Sequence, residues 1–381
     1  MGSPEKEYKK NFREWLEKMD KQLFKTRNKK RYKLISIRKK IIIYGDHKEL
    51  IFRRYYKDLW TGKNVYLLDR WLKIKSHQHI RKREKRRIYK MVAKKKMTFS
   101  QVVEHYENNF SVSTVHRLIK NHNVNFRVNF SINPRKFKII YINIDDGYRT
   151  LKIRGKWYEC QFKVIQIYQS YIKEKKQFIN ELKAVLINKN KAGKNISTVL
   201  AIMKIKALLC KYYGDTSNYR IIVCGDGARN LKAIARALGA EFCLDKFHLY
   251  QKINAAFKTQ ALKQIDFICN DCTSSIYKKN ELVHQIIELI ETGKVAEAIQ
   301  MLIDIRKKFK IHSTDLNKLI RYMKNNQKAI EIWKDPAYVG TFTETFVQQL
   351  VKSYFGNVGK WYSLSTFLKI LRGNCVVNFL K

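Results

Sequence analysis

The sequence predicts an α/β protein: a mixed β-sheet core with an all-α insertion, preceded by a basic β-hairpin and a helix-turn-helix region. Three observations predict it. From residue 137 onward β-rich runs follow one another, then short strands alternate with helices, the order expected of a mixed sheet. Residues 250–335 are almost purely helical in pattern. Upstream, Lys, Arg and Tyr alternate with Ile and Phe in strand-like runs.

At 381 residues, with 45% hydrophobic side chains, the chain can bury a substantial core. Its length suits two or three domains at about one per 150 residues. The 79 Lys+Arg against 32 Asp+Glu give a formal net charge of +47. Such a charge calls for a polyanionic partner, and nucleic acid qualifies because each neutralised phosphate releases counterions. A codon bias toward Lys, Asn, Ile and Tyr accounts for part of the excess. Seven scattered cysteines argue against a disulfide scaffold and fit a reducing cytoplasm. The charged N-terminus and the lack of a run of about 18 apolar residues predict neither export signal nor membrane span.

Residues 1–30 place Tyr8, Phe12, Trp15 and Leu16 at helical spacing, an amphipathic helix. Two strand-like runs around Tyr44-Gly45-Asp46 read as a hairpin with one apolar and one basic face. Residues 76–96 form a dense basic run, either a solvated helix face or a phosphate-binding strip through Arg81, Lys82, Arg83, Arg86 and Arg87. Residues 98–124 read as a helix over Phe99–Tyr106, a turn at Asn108-Asn109, and a second helix capped by Ser111 or Ser113. That is a helix-turn-helix pattern, with Ser113, Thr114, His116 and Arg117 exposed toward DNA. Two short helices packed on each other would give the same pattern.

Polar turns are expected at Asp145–Gly147 and Arg154–Lys156, and helices around 196–213 and after Gly225-Asp226-Gly227. Asp145 then ends one apolar strand, Asp226 ends another, and Glu344 lies in a helical stretch. Two strand-end carboxylates and a helix-borne one can converge on one or two hard divalent cations, Mg²⁺ or Mn²⁺. Each has a plainer reading as well: an Asp after a strand is commonly a turn residue, and Asp226 would cap the following helix. Cys243, His248, Cys269 and Cys272 spell C-x4-H…C-x2-C. The first spacing is unusual for zinc, so reduced, buried cysteines are expected instead.

The motifs IDDGY at 144–148, GDGARNLKAIARALGAEFCLDKFHLYQKI at 225–253 and GTFTETFVQQLVKSYFGNVGKWYS at 340–363 carry a resemblance. The chain resembles DDE transposases of the Mutator-like group, and more closely the bacterial ISLre-type, transposase-like family of mobile and integrative elements. The resemblance covers most of the chain. It implies a ribonuclease-H-like catalytic domain over 134–381, interrupted by the helical insertion 250–335. Region 1–75 would be a basic helix-and-hairpin segment, and 76–133 the helix-turn-helix region. It implies Asp145, Asp226 and Glu344 as catalytic metal ligands, with Asp245 and His248 as accessories. Asp146 competes with Asp145 for the first position; Asp145 is favoured because it stands three residues before Tyr148. Strand cleavage and strand transfer on double-stranded DNA, a homo-oligomeric active assembly, and a cytoplasmic, nucleoid-associated location follow as implications. A catalytically retired DNA-binding protein and a structure-specific ribonuclease-H-like nuclease are the rival expectations.

Overall fold

The computed structural model describes residues 12–44, 47–75, 78–124, 126–130, 132–188, 196–257, 275–308, 314–355 and 362–380. The chain divides into two compact units, Met1–Val124 with Ser365–Gly373, and Asn125–Leu364 with Asn374–Lys381. Tyr8, Gly45, Asp46, Cys269, Cys272 and Trp361 lie outside the described residues.

The first unit opens with α1 (Phe12–Thr26), followed by β1 (Tyr32–Tyr44), β2 (His47–Asp58), the short β3 (Asn64–Val65) and α2 (Leu67–Trp71). β1 and β2 pair antiparallel from Tyr32↔Asp58 to Tyr44↔His47. Phe12 and Leu16 of α1 pack with Ile42, Ile51 and Leu68 into a small core. The expected clean division of the hairpin into an apolar and a basic face is broken, because Lys40 and Arg53 share the inner face with Ile42 and Ile51. Lys40 and Arg53 point inward, each 4% exposed, while Ile37, Leu50 and Phe52 face solvent. The reason is Asp69 of α2. Its carboxylate takes Lys40 Nζ at 3.2 Å and the Arg53 guanidinium, one negative charge shared between two inward cations. Burial still pushes the Lys40 amine below its ordinary pKa.

The unit continues with α3 (Lys82–Ala93), α4 (Phe99–His105) and α5 (Val112–Asn121), and Ser365–Gly373 joins it from the far end of the chain. Their apolar stripes bury Ile88, Val92, Val102, Tyr106, Val115 and Ile119. Thr98 and Gln101 form a capping box at the start of α4, and Ser111 rather than Ser113 caps α5. Glu107 and Asn108 turn the chain between them with positive φ.

The second unit begins with β4 (Ile139–Ile153) and β5 (Lys156–Tyr168), then the hairpin β6 (Ser170–Ile172) and β7 (Gln177–Ile179), and β8 (Leu182–Asn188). Next come α6 (Thr198–Tyr213), β9 (Arg220–Gly225), α7 (Arg229–Ala237), β10 (Glu241–Leu244) and α8 (Lys246–Ala256). Helices α9 (Ser275–Glu291), α10 (Val295–Lys308) and α11 (Thr314–Glu331) occupy the segment expected to be helical. α12 (Thr343–Leu350), α13 (Leu364–Leu371, in the first unit from Ser365 on) and β11 (Val376–Leu380) end the described chain.

Six strands form one mixed sheet in the order β10-β9-β4-β5-β8-β11. β5 runs antiparallel to β4 and β8, while the β10–β9, β9–β4 and β8–β11 pairs are parallel. Both faces are covered, which is why the strands read as nearly continuous apolar runs. Ile140, Ile142 and Ile144 of β4 pack with α6 and α7 on one face. Tyr141, Ile222 and Cys224 pack on the other, with α8 to α11.

The turn expected at Asp145–Gly147 is absent. β4 continues through it, paired with β5 at Asp145↔Val164, Asp146↔Lys163 and Gly147↔Phe162. Polar spelling suggested a turn, but antiparallel pairing satisfies the backbone there. The third central strand is β8 instead, which the sequence reading passed over. The turn at Arg154-Gly155 is present, both residues at positive φ. Among the described residues, no helix is long and apolar enough to cross a membrane.

Candidate metal centre

β4 and β9 pair in parallel only from Ile139↔Arg220 to Asn143↔Cys224. Beyond Cys224 the two strands part, and Asp145 lies at the mouth of the gap. Gly225 makes the parting tight: a Cβ there would stand 2.4 Å from Leu231 Cδ1 and 3.1 Å from the Ile144 carbonyl oxygen. Gly227 turns the chain at φ +84°, in close quarters with Asn326 and Tyr322 of α11. Asp226, between them, does not cap α7, which starts from Ala228 without a side-chain cap. Its Oδ1 accepts from the Ala228 N–H at 2.9 Å, and its carbonyl accepts from Tyr322 Oη at 2.6 Å.

Asp145, His248 and Glu344 converge: one donor atom of each lies within 4.8 Å of the other two. Asp226 is outside this trio but lines the same cavity of about 610 Å³, along with Gln161, Gln251 and Lys352. Both adjacent aspartates line this cavity, but they differ in their partners. Asp145 joins the cluster, whereas Asp146 is bonded by the buried Lys163 amine at 2.7 and 2.9 Å.

Each member of the trio sits on a rigid support. Asp145 is held in the β-ladder, and its Oδ1 accepts from the Asp146 N–H at 2.7 Å. Glu344 lies in the first turn of α12, where the helix dipole favours an anion. His248 lies on α8, one turn after Asp245. Asp245 continues the sheet by donating its N–H to the Gly225 carbonyl at 2.8 Å, then caps α8 through the Phe247 N–H. Its carboxylate also accepts from Thr341 Oγ1 at 2.6 Å and from Thr343 Oγ1. His248 Nδ1 meets Asp245 Oδ2 at 2.9 Å. With Nδ1 so engaged, Nε2 is the ring nitrogen left for a ligand.

The electrostatics follow the geometry. Burial, reinforced by the charges of Asp226 and Glu344, pushes the Asp145 carboxyl up to about 6. Burial would also raise Asp245, but hydrogen bonds from His248, Thr341 and Thr343 bring it below its ordinary value. The hydrogen bond to Asp245 raises His248, helped by the charges of Asp145 and Asp226. One cation enters from the chain itself: Lys352 Nζ lies 2.7 Å from Glu344 Oε1.

Sequence reasoning had set His248 beside the carboxylates as an accessory, not in the trio. It missed Lys352, Thr341 and Thr343. The alternation of Thr341 and Thr343 ahead of Glu344 was the available signal for the last two. Cys243 lies in the core beside its register partner Cys224, and both are free thiols. The nucleic-acid candidates all belong to the first unit. Lys82, Arg83, Arg86 and Arg87 are exposed along α3, with Arg81 at its N-cap. On α5, Ser113 and Arg117 are exposed, Thr114 is half-buried, and His116 Nε2 lies 3.2 Å from Thr366 Oγ1.

A mixed α/β core with carboxylates and an imidazole clustered where two parallel strands part defines the class: an α/β protein with a candidate metal centre. The chain belongs to an uncharacterised protein family, UPF0236, which it matches over residues 4–344. That span includes Asp145, Asp226, Asp245 and His248 and closes on Glu344. No curated protein matches the chain.

Proposed function

We propose that this chain is a DDE-type transposase that cleaves and rejoins DNA strands with the help of a divalent cation. The observation that carries the reading is the convergence of Asp145, His248 and Glu344, with Asp226 in the same cavity. A ribonuclease-H-like core is supported by the central position of β4, with reversed β5 on one side and parallel β9 on the other. The helical insertion lies between β10 and Glu344, as the resemblance implies. The charge of +47 supports DNA as the partner.

The donor set fits a cation. Two carboxylates and an imidazole with Nε2 available are ligand types for a divalent metal, and burial, with the charges of Asp226 and Glu344 adding to it, raises Asp145, a cost that a bound cation would offset. The nitrogen donor tilts the choice from Mg²⁺ toward Mn²⁺. A bound cation would activate an attacking hydroxyl and stabilise the leaving oxygen at phosphorus. Asp145, His248 and Glu344 hold the centre, Asp245 orients His248, and Asp226 supplies a second carboxylate edge for substrate or a second ion. Recognition of element ends falls to the basic first unit, and the active assembly is a homo-oligomer on the nucleoid.

A second reading has its own observation. Lys352 ties up Glu344 at 2.7 Å, as it would in a retired, DNA-binding relative of such enzymes. The test is strand cleavage of duplex DNA carrying the sequences that flank the chain's own coding region, with Mn²⁺. Wild type should cleave, and Asp226→Asn and Glu344→Gln should not, while all three bind the duplex alike. Binding without cleavage by the wild type favours the second reading.

A further inference from the structure

The first unit holds a cleft of about 790 Å³ between the β1–β2 hairpin and α5. We propose that it binds one unstacked nucleotide of a DNA strand, with the base on an apolar floor and the phosphate among Lys48, Lys85 and Arg117. The proposal rests on the reading of the chain as a DNA-handling protein, not on its metal chemistry.

Thr114, Arg117, Leu118 and Asn121 line one wall of the cleft. Their spacing of i, i+3, i+4 and i+7 puts them on one face of α5. The face of this helix that turns toward a ligand is therefore 114/117/118/121, and His116 is directed instead to Thr366. The opposite wall is a built one. Ile43 donates its N–H to the His79 carbonyl at 2.8 Å and bridges to Ile80, and His79 Nδ1 lies 2.8 Å from the Ile41 carbonyl oxygen.

The chemistry of the lining selects the ligand. Ile41, Ile43, Ile80, Phe110 and Leu118 supply an apolar surface, which a backbone phosphate alone would not use. The size lies within the range of small-molecule pockets, roughly 300–1,000 Å³. Among the described residues, no acid lines the cleft. Among the described residues, Lys48, Lys85 and Arg117 carry no ion pair there. Burial and the nearby charge of Lys75 depress the Lys85 amine, a cost that a bound phosphate relieves. The exposed Arg83, Arg86 and Arg87 on the helix that carries Lys85 extend the cationic surface for the rest of the strand. A base stacked in a duplex cannot reach an apolar floor, so the occupant is extrahelical.

The test uses the full chain in EDTA, so that the carboxylate centre plays no part. A single-stranded oligonucleotide of about 12 residues carries one 5-iododeoxyuridine for photocrosslinking. The crosslink should map to the peptide containing Phe110 or His122. Arg117→Ala and Lys85→Ala should each weaken binding about tenfold. Leu118→Trp keeps every charge but crowds the apolar floor where the base would sit, so it should weaken the crosslink to the cleft peptide. Crosslinks confined to peptides outside the cleft would overturn the proposal, as would a folded Leu118→Trp that binds and crosslinks like wild type. If that variant does not fold, the crosslink map of the wild type decides. Because the assay runs in EDTA, its outcome does not depend on the carboxylate centre holding a cation, which separates it from failure of the metal reading.

Discussion

Asp245 Oδ2 and His248 Nδ1 are 2.9 Å apart, and this bond sets which nitrogen of His248 faces Asp145 and Glu344. The carboxylate is in turn fixed by Thr341 and Thr343. A chain of hydrogen bonds thus runs from the approach to α12 through the start of α8 into the cluster. Thr341→Val removes one link and leaves the trio intact. It should lower Mn²⁺ affinity about tenfold and stability by about 1 kcal/mol. Titration calorimetry and thermal melting measure the two effects; an unchanged metal affinity would show that the orientation of His248 does not matter.

Asp145→Asn should stabilise the metal-free protein while eliminating Mn²⁺ binding. The folded-state pKa of about 6 exceeds the carboxyl's ordinary value of 3.8. Ionisation therefore costs stability as pH rises from 3.8 through about 6. The variant's advantage should be roughly 1–3 kcal/mol above pH 6 and vanish below pH 4. Denaturant unfolding across that range reads the sign directly, and an advantage growing toward acid would contradict the argument.

Lys352→Ala frees Glu344 from its cation. Mn²⁺ should bind severalfold more tightly, because a like charge beside the metal has been removed. Calorimetry at low ionic strength is the measurement. Weaker binding would mean that Lys352 organises the site rather than competing for it.

Gly225→Ala and Gly227→Ala probe the parting of β9 from β4. The first drives a methyl into Leu231 and the Ile144 carbonyl; the second strains a residue at φ +84°. Each should cost about 1–3 kcal/mol, measured by chemical denaturation. Wild-type stability in both would show that the loop relaxes freely.

Asp69→Ala tests the mixed inner face of the hairpin. It leaves Lys40 and Arg53 buried without their carboxylate. The loss should be about 3–5 kcal/mol and should largely unfold the first unit. Proteolysis of residues before Val124, with the second unit protected, is the expected signature.

The sequence alone determined the local elements. The helical spacing of α1, the caps at Thr98 and Ser111, the turn at Arg154-Gly155 and the i, i+3 pairing of Asp245 with His248 are all encoded within a few residues, where periodicity and capping act. Only the tertiary structure decided which side chains meet. Whether Asp145 or Asp146 faces the cluster depends on the register of β4 against β5, which partner strands set. His248 rather than Asp226 completes the trio because α8 and α12 close over the gap between β4 and β9, and no spacing encodes that distance. Lys40 and Arg53 joined Ile42 and Ile51 on the inner face of the hairpin because Asp69, from another element, pairs with both cations.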